Sequence, residues 1–171
     1  METILGIGFL FCGITGILMD WVKRQKARQK RLEAFLLFLK KTMFAMETEH
    51  IKLIPYFMQY QSRDEVLMEF LREIVIRLQE NRYPKGEMVW EEVLMEKKQN
   101  WDLDEETFCA MLHVGNGLFG KHCLENLVFL QKSIEDLEMQ KQMNKEKDTK
   151  ERKVWIPVGM LGGVMIVILL V

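Results

Sequence analysis

The chain has 171 residues, room for one domain plus anchors, and its 24 Lys and Arg nearly match 25 Asp and Glu. A near-neutral balance excludes the basic excess of a typical nucleic-acid binder. The charge is unevenly spread: residues 4–19 and 154–171 carry none, so it crowds between Asp20 and Lys153. Cys12, Cys109 and Cys123 follow no disulfide-scaffold spacing, which favours reduced thiols and a cytoplasmic middle domain.

In chain order, the first predicted element is an apolar segment over residues 1–22. Its start, Met1-Glu2-Thr3, lacks the basic n-region of a signal peptide, and no clean small-residue cleavage site follows. A retained transmembrane helix is the expectation. Lys23, Arg24, Lys26, Arg28, Lys30 and Arg31 follow it directly. Leu32, Phe35, Leu36, Leu39, Met43 and Met46 then form one helical stripe that continues the same helix.

Leu53, Phe57 and Met58 predict a short helix with Pro55 near its start. Leu67, Phe70, Leu71, Ile74 and Leu78 give the cleanest stripe, and Ser62-x-x-Glu65 before it fits a capping box. Pro84 opens the next helix, whose apolar face is Val89, Trp90, Val93 and Leu94. Asp102 or Asp104 caps another, with Phe108, Met111 and Leu112 inside. Gly115, Gly117 and Gly120 punctuate the chain and predict an interhelical turn. They also match G-x-G-x-x-G, but an amphipathic helix precedes them where dinucleotide binding needs a strand. Leu124, Leu127, Val128, Leu130, Ile134 and Leu137 start a long helix that turns polar over residues 138–153, read as a solvated stalk.

The last 18 residues, Val154 to Val171, are uncharged, and as a helix they nearly span the ~30 Å hydrocarbon core of a bilayer. Trp155 suits the interface, and Pro157 should bend this helix or mark its entry. Lys145, Lys147, Lys150, Arg152 and Lys153 precede the segment, while the far ends carry no Lys or Arg. The positive-inside rule therefore puts both termini outside and the middle in the cytoplasm. Gly13 and Gly16 (with Gly6) in the first span, and Gly159 and Gly163 in the last, are the candidate helix-packing seams.

The fold expectation is all-α: a cytoplasmic bundle of about six helices over residues 23–153, flanked by two terminal transmembrane helices, 1–22 and 154–171. Cys109, His113, His122 and Cys123 are the one set with metal-ligand chemistry. The adjacent His122 and Cys123 point about 100° apart on a helix, and no C-x-x-C is present. No metal, cofactor or catalytic residue is therefore assigned.

The order of these features resembles the stage III sporulation protein AB family. The matching features are the length, the two terminal spans and the basic start Lys23 to Arg31. Further along come Trp90-Glu91-Glu92-Val93-Leu94, the glycines 115–120 before a long charged helix, and the ending Leu161-Gly-Gly-Val-Met-Ile-Val-Ile-Leu-Leu-Val171. Lys121-His122-Cys123-Leu124 departs from the usual polar stretch after the glycines. The resemblance implies a likeness to the inner-membrane platform protein of type II secretion and type IV pili. It implies a scaffold in the mother-cell membrane around the forespore, with a cytoplasmic ATPase and other membrane proteins of the same complex as partners, and self-association allowed. A membrane-anchored regulator binding a cytoplasmic signalling protein is the alternative.

Overall fold

A computed structural model describes residues 2–49, 51–80, 84–120 and 123–170; side chains 2–12, 14, 15, 17, 18, 123, 124, 156, 160, 163, 164 and 166–170 are outside the description. Every regular element among the described residues is helical: α1 (Glu2–Glu49), α2 (Leu53–Gln59), α3 (Glu65–Gln79), α4 (Gly86–Glu96), α5 (Lys98–Trp101), α6 (Glu105–Phe119) and α7 (Cys123–Leu170). They divide into two compact units, Arg28–Gln142 and the paired end segments Met1–Ala27 and Met143–Val171.

In the larger unit, the stripes read from the sequence form the core. Leu32, Phe35, Leu36 and Leu39 of α1 meet Leu67, Phe70, Leu71 and Ile74 of α3, with Val89, Trp90, Val93 and Leu94 of α4. Phe108 and Met111 of α6 and Leu130, Ile134 and Leu137 of α7 complete it. Aromatic rings fill the centre: Phe70 lies edge-on to Trp90 at 4.8 Å and to Trp101 at 5.5 Å, and Phe35 is 5.6 Å from Trp101. Such edge-to-face contacts add stabilisation beyond area burial. Two ion pairs, Lys40–Glu138 at 2.5 Å and Lys141–Glu33 at 3.0 Å, tie α1 to α7 within this unit.

Three local expectations change, and the choice between Asp102 and Asp104 as a cap falls to Asp104. The cap of α3 is Asp64, whose carboxylate accepts from the Leu67 N–H at 2.9 Å. Ser62 instead accepts from the Asp64 N–H, so Ser62 and Glu65 do not form a capping box. The carboxylate one residue before the helix simply reaches the free N–H groups first. Asp104 caps α6 through the Thr107 N–H, while Asp102 ends α5 in the left-handed region at φ 50°. Met58 and Val128, assigned to apolar faces, are exposed. Gly115 and Gly117 lie inside α6, and no described glycine has positive φ; only Gly120, in extended backbone, belongs to the turn.

Residues 138–153, expected as a solvated stalk, are helical and mostly exposed, and in the smaller unit they contribute to a polar seam. Gln25 and Asp148 are buried, and Arg152 Nε donates to Gln25 Oε1 at 3.0 Å. Hydrogen bonding between facing polar side chains makes such burial tolerable without an apolar stripe. Helix α7 runs through Pro157, which is therefore not a helix entry. Among the described residues, no helix is long and apolar enough to cross a membrane. The apolar runs expected to do so fall largely on side chains outside the description.

Candidate functional site

The outer surface formed by α4 and α6 rests on a reciprocal fit. A methyl added at Gly115 of α6 would lie 2.7 Å from Trp90 Cδ1 of α4, and one at Gly86 of α4 would run into the ring of Phe119 of α6. Each helix thus supplies a glycine under the other's aromatic ring. Trp90 Nε1 also donates to the Met111 carbonyl at 2.9 Å, one turn before Gly115. Gly117 does the same for α7: a methyl there would lie 3.1 Å from the Leu130 backbone. These glycines matter for the close approach they permit, a role the sequence reading of a turn missed.

Arg77 pins α3 to α4. Its guanidinium holds Glu73 one turn back at 2.9 Å and Glu96 across the helix pair at 2.5 Å, with Glu92 at 3.5 Å. Lys97 reaches back to Glu69 at 2.5 Å. The Arg77 hydrogen bond holds the Glu96 carboxyl below its ordinary value, and the Lys97 hydrogen bond does the same for Glu69. The reciprocal bond from Glu96 raises the already high Arg77 value.

Between α4 and α6 runs a cleft of about 540 Å³ lined by Met88, Glu91, Glu92, Met95, Cys109, Leu112 and His113. Cys109 and His113 thus come to one surface, with Cys109 exposed. Phe108, the neighbouring residue, faces inward as its place on the apolar stripe of α6 implies. His122 and the Cys123 side chain lie outside the described residues. Among those described, no three His, Cys, Asp or Glu side chains converge as metal ligands.

The outward face of α1 carries Lys30, Ala34, Leu37 and Lys41, which line a second groove with Tyr60 to Asp64. Lys41 Nζ sits 5.9 Å from the Tyr60 ring centre. The basic residues after the first apolar run have distinct surroundings. Lys23, Arg24 and Lys26 are exposed, and Arg24 pairs with Asp20 at 3.0 Å. Arg28 is half-buried, and Arg31 donates to the Trp101 carbonyl at 3.2 Å, closing the end of α5. Arg152 is engaged with Gln25, and Lys153 is exposed.

Of the glycines expected to form packing seams, Gly13 and Gly16 are exposed, and a methyl at either meets nothing within 4 Å among the described residues. Gly159 is half-buried. The Gly163 side and the residues around Gly6 are outside the description.

Comparison with known proteins bears on this arrangement. The sequence model of the family described as stage III sporulation protein AB matches residues 3–171. A solved structure titled Stage III sporulation protein AB (SpoIIIAB) matches with a TM-score of 0.51 at 12% identity, covering 74% of this chain and 94% of that one. At that identity, the likeness supports the fold. No curated protein sequence matches the chain.

Proposed function

From the chain's membership of the stage III sporulation protein AB family, and so its role in sporulation, we propose that it is a non-enzymatic scaffold held at the mother-cell membrane, coupling a cytoplasmic ATPase to the other membrane proteins of the same complex. One observation carries this reading beyond the family: the larger unit has a filled aromatic core and cross-pinned helices, yet it exposes apolar side chains among charges on its outer faces. Leu37, Phe44, Met88 and Met95 are 51%, 63%, 46% and 57% exposed. Apolar surface rimmed by polar groups is characteristic of protein–protein contact.

The membrane part of the proposal rests on the uncharged runs 4–19 and 154–171 and on the basic residues that flank each of them on the side of the larger unit. Both flanks give the same orientation, with residues 23–153 in the cytoplasm. The platform comparison enters as analogy, which sets an expectation about role without determining it.

Affinity capture of the tagged full-length chain from sporulating cells tests the scaffold role. Co-recovery of an ATPase with other membrane proteins is the expected result. Capture that recovers neither, from membranes in which the chain is intact, would overturn it. Reporter fusions at both ends and at an exposed position of the larger unit test the two-pass orientation separately.

A further inference from the structure

Two outer faces of the larger unit expose apolar side chains and are complementary in charge. The first is a ridge on α1. Lys30, Ala34, Leu37, Lys41 and Phe44 recur at alternating spacings of four and three, so they share one side of the helix. That side faces away from the stripe Leu32, Phe35, Leu39 and Met46, whose residues pack in or against the core. Leu37 and Phe44 sit two turns apart, both more than half exposed, with Lys30 and Lys41 beside them. This side of α1 is one wall of the groove shared with Tyr60 to Asp64, and exposed Leu and Phe two turns apart on it match the anchor spacing of a helix that seats in a partner's groove.

The second face is the α4–α6 cleft. Its apolar lining is Met88, Met95 and Leu112, and its acids are Glu91 and Glu92. Methionine side chains are unbranched and polarisable and mould to an incoming apolar group. The ridge pairs Leu and Phe with two lysines; the cleft pairs Met and Leu with the exposed Glu91 and with Glu92, which Arg77 approaches from α3 at 3.5 Å. Opposite charge around matched apolar centres steers association and fixes register.

We propose that the chain self-associates head to tail, with the α1 ridge of one copy (Leu37 and Phe44, flanked by Lys30 and Lys41) seated in the α4–α6 cleft of the next (Met88, Met95 and Leu112, flanked by Glu91 and Glu92). The contact is heterologous, because the two surfaces differ. Each copy then keeps one ridge and one cleft unfilled, and association continues until a ring closes or a filament grows. The ATPase-coupling role plays no part in the argument, so either proposal survives failure of the other.

The test uses the full-length chain in a mild detergent, with mass measured by light scattering. Two double variants are made at exposed positions: L37E/K41E on the ridge and E91K/M95K at the cleft. The wild-type chain should assemble beyond a monomer, and each variant alone should be monomeric with unchanged helical circular dichroism. Mixed one to one, the variants should form a heterodimer and stop there, because one intact ridge and one intact cleft remain between them. K41A and E91A, which keep the apolar residues, should weaken assembly and make what remains less sensitive to salt, because the screened charge pair is gone. A monomeric wild-type chain would overturn the proposal and leave the two faces to other proteins. Variants that assemble like the wild type would also overturn it, placing any self-contact elsewhere, as would variants that stay monomeric when mixed.

Discussion

Trp90 and Gly115 are fitted to one another: the indole lies where a side chain at 115 would be, and its N–H reaches the Met111 carbonyl one turn earlier. Gly115→Ala sets two effects against each other. Alanine gains about 1 kcal/mol of helix propensity. The added methyl, 2.7 Å from a fully buried indole carbon, forces repacking at a cost of about 1–3 kcal/mol. Overpacking should win, because Trp90 is hemmed in by Phe35, Phe70 and Phe119 and has nowhere to move. Thermal melting should show Gly115→Ala less stable than wild type. In a Trp90→Leu background the same change should cost little or become favourable. A G115A chain that melts above wild type would remove the close-approach account of these glycines.

A second prediction concerns acid. Glu96 and Glu69 both titrate below the ordinary carboxylate value of 4.5 in the folded chain, chiefly because Arg77 and Lys97 hydrogen-bond to them. A carboxyl depressed by folding stabilises the fold fully above its unfolded value. That stability is lost as pH falls through the lower folded value. The melting temperature should therefore hold from neutral pH down to about 4.5 and decline below it. Both carboxylates are exposed, so the contribution is modest and should shrink in high salt. Glu96→Gln should flatten part of the acid decline. An unchanged acid limb in E96Q would show that the Arg77 pairing contributes nothing measurable.

Helix positions and most core stripes are legible in the sequence because 3.6-residue periodicity reports one buried face per helix, as in α3 and α4. What the pattern misses is what a face meets. Trp101, fully buried, sits on a four-residue helix too short to show a period. Phe38 lies outside the α1 stripe, yet is buried against Phe57 and Tyr60, whose approach depends on the path of α2. Glycines 115 and 117 read as a turn because composition cannot distinguish a glycine chosen for backbone freedom from one chosen for its missing side chain. The same blindness hides the candidate contact surfaces. Met88 and Met95 look like core filler until α6 takes its place beside them and leaves them on the rim of a cleft.

Asp102 is the one described non-glycine residue with positive φ, at 50° with ψ 43°. It ends α5 just after the Trp101 carbonyl, which Arg31 satisfies. Left-handed backbone costs an ordinary L-residue about 1–2 kcal/mol, less for Asp or Asn, and glycine escapes it. Asp102→Gly should therefore stabilise the chain by up to about 1 kcal/mol, after allowing for the extra freedom glycine gains when unfolded. Asp102→Val should destabilise it, because a β-branched residue is poorly accommodated there. The order Gly, Asp, Val in melting temperature is the expected readout. Val equal to Asp would mean that the left-handed geometry does not persist in solution.

In the smaller unit, Gln25 is buried in the seam between α1 and α7, and its side-chain oxygen accepts from Arg152. A hydrogen bond to a charged group contributes about 1.5–3 kcal/mol, and losing it leaves a half-buried guanidinium with one partner fewer. Gln25→Ala should therefore speed amide hydrogen exchange in residues 20–27 and 146–155 while leaving α3 and α4 protected. Gln25→Glu keeps the acceptor and adds a charge of the right sign, so exchange should return to the wild-type rate or slower. Arg152→Gln removes the cation and should open the same segments without altering the core of the larger unit. If Q25A leaves exchange in both segments unchanged, the pair is incidental and the polar seam is held by its other hydrogen bonds. If exchange rises throughout the larger unit as well, the two units open together rather than one at a time.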